Sequence, residues 1–243
     1  MNIIYEDNHL IIINKAPGEL SQSDKTNDIS LVDELKNYLK FKYNKKGNAY
    51  LGLVNRLDRP TSGLLIFSKT SKSLARMNDL QKNRKIKKTY YAITEKQPNK
   101  ASDKLTNFLK KNQTKNKSFV VDESDVKSKR AVLNYKMIKK LENYFLLEII
   151  LETGRHHQIR CQLSHIGCPI KGDVKYGAKR PNKDRSICLH SNKIEFIHPV
   201  TKKELTITAQ PPNSNIWLLW DRNPLIFTYI LLHLPACTPF DER

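Results

Sequence analysis

The chain has 243 residues, of which 39% are hydrophobic and 8% aromatic, so it can bury a sizeable core and is not an intrinsically disordered protein. Lysine and arginine total 43 against 24 acidic residues, which gives a formal net charge of +19. This excess predicts a polyanionic partner, and because no basic amphipathic helix stands out, nucleic acid is favoured over an anionic membrane.

The cysteines and the N-terminus narrow the class of protein further. Four cysteines are scattered along the chain without a C-x-x-C pair, so neither a zinc ribbon nor a disulfide scaffold is indicated. The first residues lack the basic start and apolar core of a signal peptide, which predicts a cytoplasmic protein. Nothing in the sequence demands more than a monomer.

Apolar periodicity predicts many strands and few helices along the chain. Strands are predicted at 3–5, 10–13, 63–68, 89–94, 131–138, 144–151, 187–197 and 204–208. Helices are predicted after the cap residues Ser30 and Ser71, and again from Gly154 through Ile166. Because these elements show no β-α-β alternation, the expected fold is α+β, with a mainly antiparallel, mixed sheet and flanking helices.

The sequence predicts one domain over residues 1–222. Within it, residues 95–130 are rich in Lys, Asn, Ser and Asp, and we expect a solvated, mobile insertion with one or two short strands. Residues 223–243 contain an apolar run that is too short to span a bilayer, so a docked C-terminal segment is favoured over an anchor. No function is assigned to this tail.

A first group of unusual residues surrounds Asp58. Arg56 and Arg59 flank this carboxylate, and cationic neighbours favour the ionised form that a nucleophile or base requires. Pro60 and Gly63 constrain the backbone that follows. The alternative is an ion pair that fastens a loop, and the residue types alone favour it because structural ion pairs are common.

A second group opens the predicted helix at 154–166. Arg155, His156, His157 and Arg160 fall in its first turns, where backbone N–H groups also attract anions, so a phosphate or carboxylate partner is expected. An ordinary solvated helix face is the alternative. No metal is predicted, because His157 and Cys161 are four residues apart but no third or fourth ligand follows at a usable spacing.

Taken in order, these runs resemble the motifs of the RluA family of pseudouridine synthases. The family motif H-R-L-D-x-x-T-S-G resembles Asn55–Gly63, K-x-Y-x-A resembles Lys88–Ala92, and T-G-R-x-H-Q-I-R resembles Thr153–Arg160. The motif G-x-P-I-x-G-D-x-x-Y-G resembles Gly167–Gly177, and the entry motif N-K-P-x-G resembles Asn14–Gly18. The resemblance covers residues from about 3 to 213 and implies a pseudouridine synthase fold.

The resemblance implies an enzyme that isomerises uridine in ribosomal or transfer RNA without cofactor or metal. Asp58 would be the nucleophile, attacking either C1′ of the ribose or C6 of the uracil. Tyr90 would pack against the uracil and help to remove the proton from C5, and Arg160 would pair with Asp58. Arg56 would fill the space left by the flipped nucleotide, a task suited to a planar cation.

Further RNA contacts are expected from Asn55, Arg59, Arg155 and His157. Asn55 departs from the family, which usually has histidine at this position, so RNA contact or loop rigidity is expected to be weaker. The N-terminal S4 RNA-binding domain of many family members is absent from this sequence. RNA recognition is therefore expected from the catalytic domain, its Lys-rich insertion or the fold of the RNA.

Two other functions remain as alternatives. The first is a basic RNA-binding or ribosome-assembly protein that kept the fold and lost turnover; Asn55 and the tail favour it, whereas intact Asp58, Tyr90 and Arg160 count against it. The second is a metal-dependent nuclease that uses Asp58 and Asp173, but the sequence lacks a carboxylate cluster.

Overall fold

One mixed sheet of eleven strands forms the framework of the protein. The computed structural model describes residues 1–23, 28–214 and 216–218. The strands are β1 (Ile3–Glu6), β2 (Leu10–Lys15), β3 (Gly52–Leu53), β4 (Ser62–Ser68), β5 (Lys87–Thr94), β6 (Ser102–Asn112), β7 (Lys117–Val121), β8 (Lys129–Lys140), β9 (Phe145–Leu151), β10 (Leu189–Ile197) and β11 (Glu204–Thr208). Their order in the sheet is β1-β2-β4-β10-β5-β9-β8-β6-β7, with β11 beside β10 and β3 beside β4.

Almost all neighbouring strands are antiparallel, which confirms the mainly antiparallel, mixed sheet. Among the strands of the described residues, β4 and β10 form the one parallel pair, with Ser62 opposite His190 and Gly63 opposite Ser191. All residues of β4 are buried, because β2, β3 and β10 surround this strand. The sheet therefore holds the start of β4, directly after the Asp58 loop, at its centre.

Three α-helices lie wholly within the described residues: α1 (Leu31–Lys42), α2 (Ser71–Lys82) and α3 (Gln158–His165). Residues 216–218 are also helical. Ser30 caps α1 as predicted, in a capping box with Asp33. The predicted cap of α2 is wrong by one residue. Thr70 is the cap, because its hydroxyl accepts a hydrogen bond from the Ser73 N–H at 3.1 Å, and Ser71 is the first helical residue.

The predicted start of α3 at Gly154 is also wrong. Residues 154–157 form a turn, and the helix begins at Gln158. His157 has a left-handed backbone, with φ of 51°, and this conformation cannot continue a right-handed helix. Of the basic residues predicted in the first turns of the helix, Arg160 is helical, whereas Arg155 and His156 precede it.

The Lys-rich segment 95–130 contributes two strands to the sheet. The number agrees with the prediction, but β6 is eleven residues long and pairs with β8 from Ser102↔Lys136 to Leu109↔Lys129. Leu105 and Leu109 on this strand are buried. The segment therefore extends the sheet by β6 and β7, and the charged residues of these two strands lie at exposed or half-buried positions.

The predicted C-terminal segment 223–243 lies outside the described residues. Within the described residues, no helix is long and apolar enough to cross a membrane.

Gly63 is required by the close approach of β4 and β10. Its φ is +115°, and a Cβ at this position would lie 2.4 Å from both the backbone N and the backbone O of Ser191. Backbone atoms of a central strand cannot withdraw from such a clash without breaking sheet hydrogen bonds. A side chain at position 63 would therefore push apart the strands that hold the Asp58 loop.

We expect Gly63→Ala to lower the free energy of unfolding by about 2 kcal/mol or more, because strain and clash act together. Gly47→Ala is the matched control: no atom lies within 4 Å of its added Cβ, and the φ is not in the left-handed region. This control should change the free energy by less than about 0.5 kcal/mol. Urea denaturation measures the free energy of unfolding of both variants. Equal losses would show that a Cβ at position 63 causes no clash with Ser191.

Candidate active site

The loop that carries Asp58 has no regular secondary structure, yet hydrogen bonds hold its backbone on several sides. The Ser21 hydroxyl donates to the carbonyl of Leu57 at 3.0 Å, and the Ile187 N–H donates to the carbonyl of Pro60 at 3.1 Å. The side chain of Asp58 is 29% exposed. The loop thus presents a partly exposed carboxylate on a fixed backbone, which is what a reactive group requires.

Lys15, at the end of β2, supports the same loop from the interior. This side chain is 1% exposed, and its ammonium donates to the carbonyls of Ala16 at 2.8 Å, Arg59 at 3.0 Å and Thr61 at 2.7 Å. Burial lowers the pKa of Lys15 to about 8, against the favourable field of the nearby Asp58 carboxylate. The three ammonium protons therefore tie the loop to β2. This lysine lies in the entry motif, but it was not among the predicted site residues.

Asn55 lies at the start of the loop and is buried. Its Oδ1 accepts a hydrogen bond from the Ile66 N–H at 2.8 Å, and its Nδ2 donates to the Leu64 carbonyl at 3.3 Å. Both polar ends of the amide thus bind β4 and fasten the loop to it. The predicted RNA contact of Asn55 is at odds with this burial, whereas the amide does provide loop rigidity.

Arg160, in the first turn of α3, joins two carboxylates. Its Nη1 donates to Asp58 Oδ2 at 2.8 Å, while Nε and Nη2 donate to the two oxygens of Asp173 at 2.7 and 2.9 Å. Burial acts to lower the pKa of Arg160, but Asp173 and Asp58 outweigh it and raise this pKa. The structure thus brings Arg160 and Asp58 together as expected, and adds Asp173 as the residue that orients the guanidinium.

The two oxygens of Asp58 have different surroundings. Oδ2 lies near Arg160 and 3.5 Å from His157 Nε2, whereas Oδ1 has no hydrogen-bond partner among the residues that the structure describes. Asp173, in contrast, is 1% exposed and held by two N–H groups of the guanidinium. Asp58 is therefore the carboxylate of the pair that has an oxygen free to react.

His157 lies beside Asp58 and is neutral at physiological pH. Its Nδ1 is 3.0 Å from the Tyr176 hydroxyl, and burial lowers its pKa to about 3. If the Tyr176 hydroxyl donates to Nδ1, the proton of the neutral ring resides on Nε2 and points towards Asp58. The ring also stacks on His156, with 3.8 Å between the centroids.

Two polar side chains of the same motif fix the turn before α3 against β8. Thr153 Oγ1 accepts from the Val132 N–H at 2.8 Å and contacts Gln158 Oε1, also at 2.8 Å. Gln158 Nε2 donates to the Val132 carbonyl at 3.0 Å, and its Oε1 accepts from the Arg155 N–H at 3.0 Å. This arrangement fixes the turn ahead of Arg160, so the Thr and Gln of the motif act on the backbone.

Tyr90 lies on β5, with Ser191 and Ile149 opposite it on the two neighbouring strands. It is 6% exposed, and Ser191 in turn pairs with Gly63 at the start of β4. Burial raises the pKa of Tyr90 to about 12, and Asp58 acts in the same direction. The phenol therefore carries its proton at neutral pH.

The two arginines beside Asp58 differ in their freedom. Arg59 Nε donates to the Gly18 carbonyl at 2.9 Å, and its Nη2 pairs with Asp28 at 2.8 Å. Arg56 is exposed and forms no hydrogen bond or ion pair with any residue in the described part of the chain. Arg59 thus links the Asp58 loop to the segment between β2 and α1, whereas the side chain of Arg56 is available to bind another molecule.

The described residues contain no group of three or more His, Cys, Asp or Glu that could hold a metal ion. The carboxylates of Asp58 and Asp173 are both bound by Arg160.

Residues 9–165 match the protein family described as RNA pseudouridylate synthase. The ribosomal large subunit pseudouridine synthase C of Rickettsia felis is 35% identical over 212 residues, which are 86% of this chain and 67% of that protein. The ribosomal large subunit pseudouridine synthase D of Zymomonas mobilis is 32% identical over 224 residues, with coverage of 88% and 70%.

Two solved human structures share the fold. RNA pseudouridylate synthase domain containing 4 superposes with a TM-score of 0.73 at 23% identity, covering 90% of each chain. RNA pseudouridylate synthase domain containing 1 superposes with a TM-score of 0.70 at 17% identity, covering 98% of this chain and 96% of that one. These similarities confirm the α+β pseudouridine synthase fold.

Replacing Lys15 should destabilise the protein strongly. We expect Lys15→Met to lower the free energy of unfolding by about 2–5 kcal/mol, because three carbonyls lose their shared donor in a dry site. Lys40→Met, at an exposed position of α1, removes the same charge and should lower the free energy of unfolding by less than about 0.5 kcal/mol. Urea denaturation measures the loss of unfolding free energy in both variants. If the loss at position 15 is no larger than the loss in the control, Lys15 does not hold the Asp58 loop.

His157 should titrate far below histidine's ordinary value. With a pKa of about 3 in the folded state against 6.5, the unfolded state binds more protons between these values. Its contribution to stability is thus present above pH 6.5 and lost as the pH falls towards 3. We expect the ¹⁵N resonances of this ring to report a neutral imidazole at pH 5. Protonation with a midpoint near 6.5 would contradict the burial argument.

Proposed function

Because this chain belongs to the family of RNA pseudouridylate synthases, we propose that it isomerises uridine in RNA with Asp58 as the nucleophile. One observation carries this assignment of roles: Asp58 Oδ2 is bound by Arg160 at 2.8 Å, while Oδ1 has no partner among the described residues. The hydrogen bond from Arg160 orients the carboxylate, and the other oxygen can approach the substrate.

In the proposed reaction, Asp58 forms a bond to the substrate and later releases it. Oδ1 attacks C1′ of the ribose or C6 of the uracil, and the bond between N1 and C1′ breaks. The uracil rotates, C5 bonds to C1′, and the bond to Asp58 breaks. C5 then loses its proton and N1, which has lost its bond to C1′, gains one. Atoms balance without an external reagent, because product and substrate are isomers.

The other side chains have distinct parts in this proposal. Arg160 stabilises the carboxylate when it attacks and when it leaves, and Asp173 keeps the guanidinium in place. Tyr90, a neutral phenol with a pKa of about 12, packs against the uracil. A neutral phenol is a poor base, so Tyr90 does not act as a preformed phenolate. It assists loss of the C5 proton through its hydroxyl oxygen.

We propose ribosomal RNA as the substrate class. The relatives from Rickettsia felis and Zymomonas mobilis are named for the ribosomal large subunit. A net charge of +19 suits a polyphosphate, and Arg56 is exposed beside the nucleophile without a protein partner in the described residues. Arg56 would occupy the gap that the flipped nucleotide leaves. A monomer in the cytoplasm stays a prediction.

The alternative of an RNA-binding protein without turnover loses one of its arguments. It relied on Asn55 in place of the usual histidine, but Asn55 is buried and holds the loop to β4 through both ends of its amide. A substitution that still fastens the loop gives no reason for lost activity.

Release of tritium from large-subunit ribosomal RNA labelled at uracil C5 tests the proposed function. Wild-type protein should release tritium, and Asp58→Asn should reduce the rate about a thousandfold or more while RNA affinity changes little, because the nucleophile is lost and the shape is kept. Asp79→Asn, an exposed aspartate on α2, removes the same charge and should retain the wild-type rate.

The possible results separate the two functions. Tight binding of RNA without tritium release by the wild type would support the RNA-binding alternative. Release that survives in Asp58→Asn would remove Asp58 as the nucleophile.

A further inference from the structure

A basic cavity lies beside the proposed catalytic residues and has no part in the mechanism above. Its volume is about 610 Å³, and it is lined by the β6–β7 hairpin, the loop after β7 and the turn before α3. Four cations line it: Lys111, Lys127, Lys129 and Arg155. No acidic residue belongs to the lining, and none of the three lysines forms an ion pair within the described residues. Unpaired cations around a concave surface attract an anionic ligand.

The loop after β7 holds three acidic residues, Asp122, Glu123 and Asp125, but none of them lines the cavity. Asp125 forms an ion pair with Lys110 at 2.8 Å and accepts a hydrogen bond from the Lys127 N–H at 3.2 Å. The side chain of Lys127 forms no ion pair within the described residues. The side chains that line the cavity therefore carry no negative charge.

The cavity also offers an apolar surface. Leu109 of β6 is buried beneath it, whereas Val126 in the loop after β7 is 97% exposed. Val126 lies in a hydrogen-bonded turn, in which the Ser128 N–H donates to the Asp125 carbonyl at 2.8 Å. An exposed valine on a fixed turn beside unpaired lysines matches the mixed chemistry of a nucleotide, which carries an apolar base face next to a phosphate.

The position of the cavity relates it to Asp58. His156 lines the cavity and stacks on His157 at 3.8 Å, and His157 Nε2 is 3.5 Å from Asp58 Oδ2. The ring of His156 therefore lies between the cavity and His157, the residue next to Asp58. If an RNA strand places one nucleotide at Asp58, a neighbouring nucleotide of the same strand would lie over the cavity.

We propose that this cavity binds a nucleotide of the substrate RNA that neighbours the target uridine. Its phosphate contacts Lys111, Lys127, Lys129 and Arg155, and its base lies against Val126. The cavity is within the size range of small-ligand sites. This assignment rests on the proposed function, since it takes the RNA to be the substrate of Asp58.

Neutralising two of the lysines tests the electrostatic part. In Lys127→Ala/Lys129→Ala, we expect KM for the labelled RNA to rise about tenfold, with the effect on KM rather than on kcat. The slope of log KM against log salt should become shallower by about one, as expected for the loss of a phosphate contact. The control Lys36→Ala/Lys40→Ala removes the same charge from α1, which does not line the cavity, and should shift KM less than about twofold.

A crosslink tests the location. A photoreactive benzoylphenylalanine placed at Val126, whose side chain is 97% exposed, should crosslink to RNA within one or two nucleotides of the modified uridine, as mapped by reverse transcription. Crosslinks confined to distant nucleotides, or equal KM values for the two lysine pairs, would overturn the cavity assignment. Absence of tritium release by the wild type would instead overturn the proposed function, so the two failures are distinguishable.

Discussion

The arrangement of the site depends on one guanidinium that serves two carboxylates. Arg160 binds Asp173 through two N–H groups in a dry pocket and offers a third to Asp58. The bidentate pair fixes the plane of the guanidinium, so the N–H groups of Nη1 point in fixed directions, one of them towards Asp58. Asp173 thus determines the position of Asp58 without contacting it. The turn before α3, fastened to β8 by Thr153 and Gln158, holds the backbone from which Arg160 extends.

A second buried cation complements the first. Lys15 binds the backbone of the Asp58 loop from the interior, while Arg160 binds the side chain from α3. A carboxylate held in this way by positive charge on two sides needs little rearrangement when it reacts, since backbone and side chain are both oriented beforehand. Asn55 adds a third attachment by binding β4. The irregular loop is therefore held by hydrogen bonds from β2, β4 and α3.

Local patterns in the sequence anticipated most of the strands and the capped α1, because alternation and capping act over a few residues, whereas β3 and the length of β6 were missed. The start of α3 was missed, since the turn before it is held by contacts that are remote in sequence: His157 contacts Tyr176, and His156 contacts Ser118 of the β6–β7 hairpin. Asp58, Tyr90 and Arg160 were identified by resemblance to family motifs. Lys15 and Asp173 carried no such local signal of their role, because a buried ion is recognised by what surrounds it.

The parallel pairing of β4 with β10 has a consequence for the order in which the protein becomes active. Ser62 and His190 are paired in register, so the strand that follows the Asp58 loop completes its hydrogen bonds with a strand more than a hundred residues later. A contact of such sequence separation forms late and slowly, because the intervening chain must first be ordered. During synthesis, the first half of the chain therefore emerges with Asp58 but without the strand, the arginine and the aspartate that orient this carboxylate. A nascent or truncated chain should bind RNA through its lysines well before it can modify it.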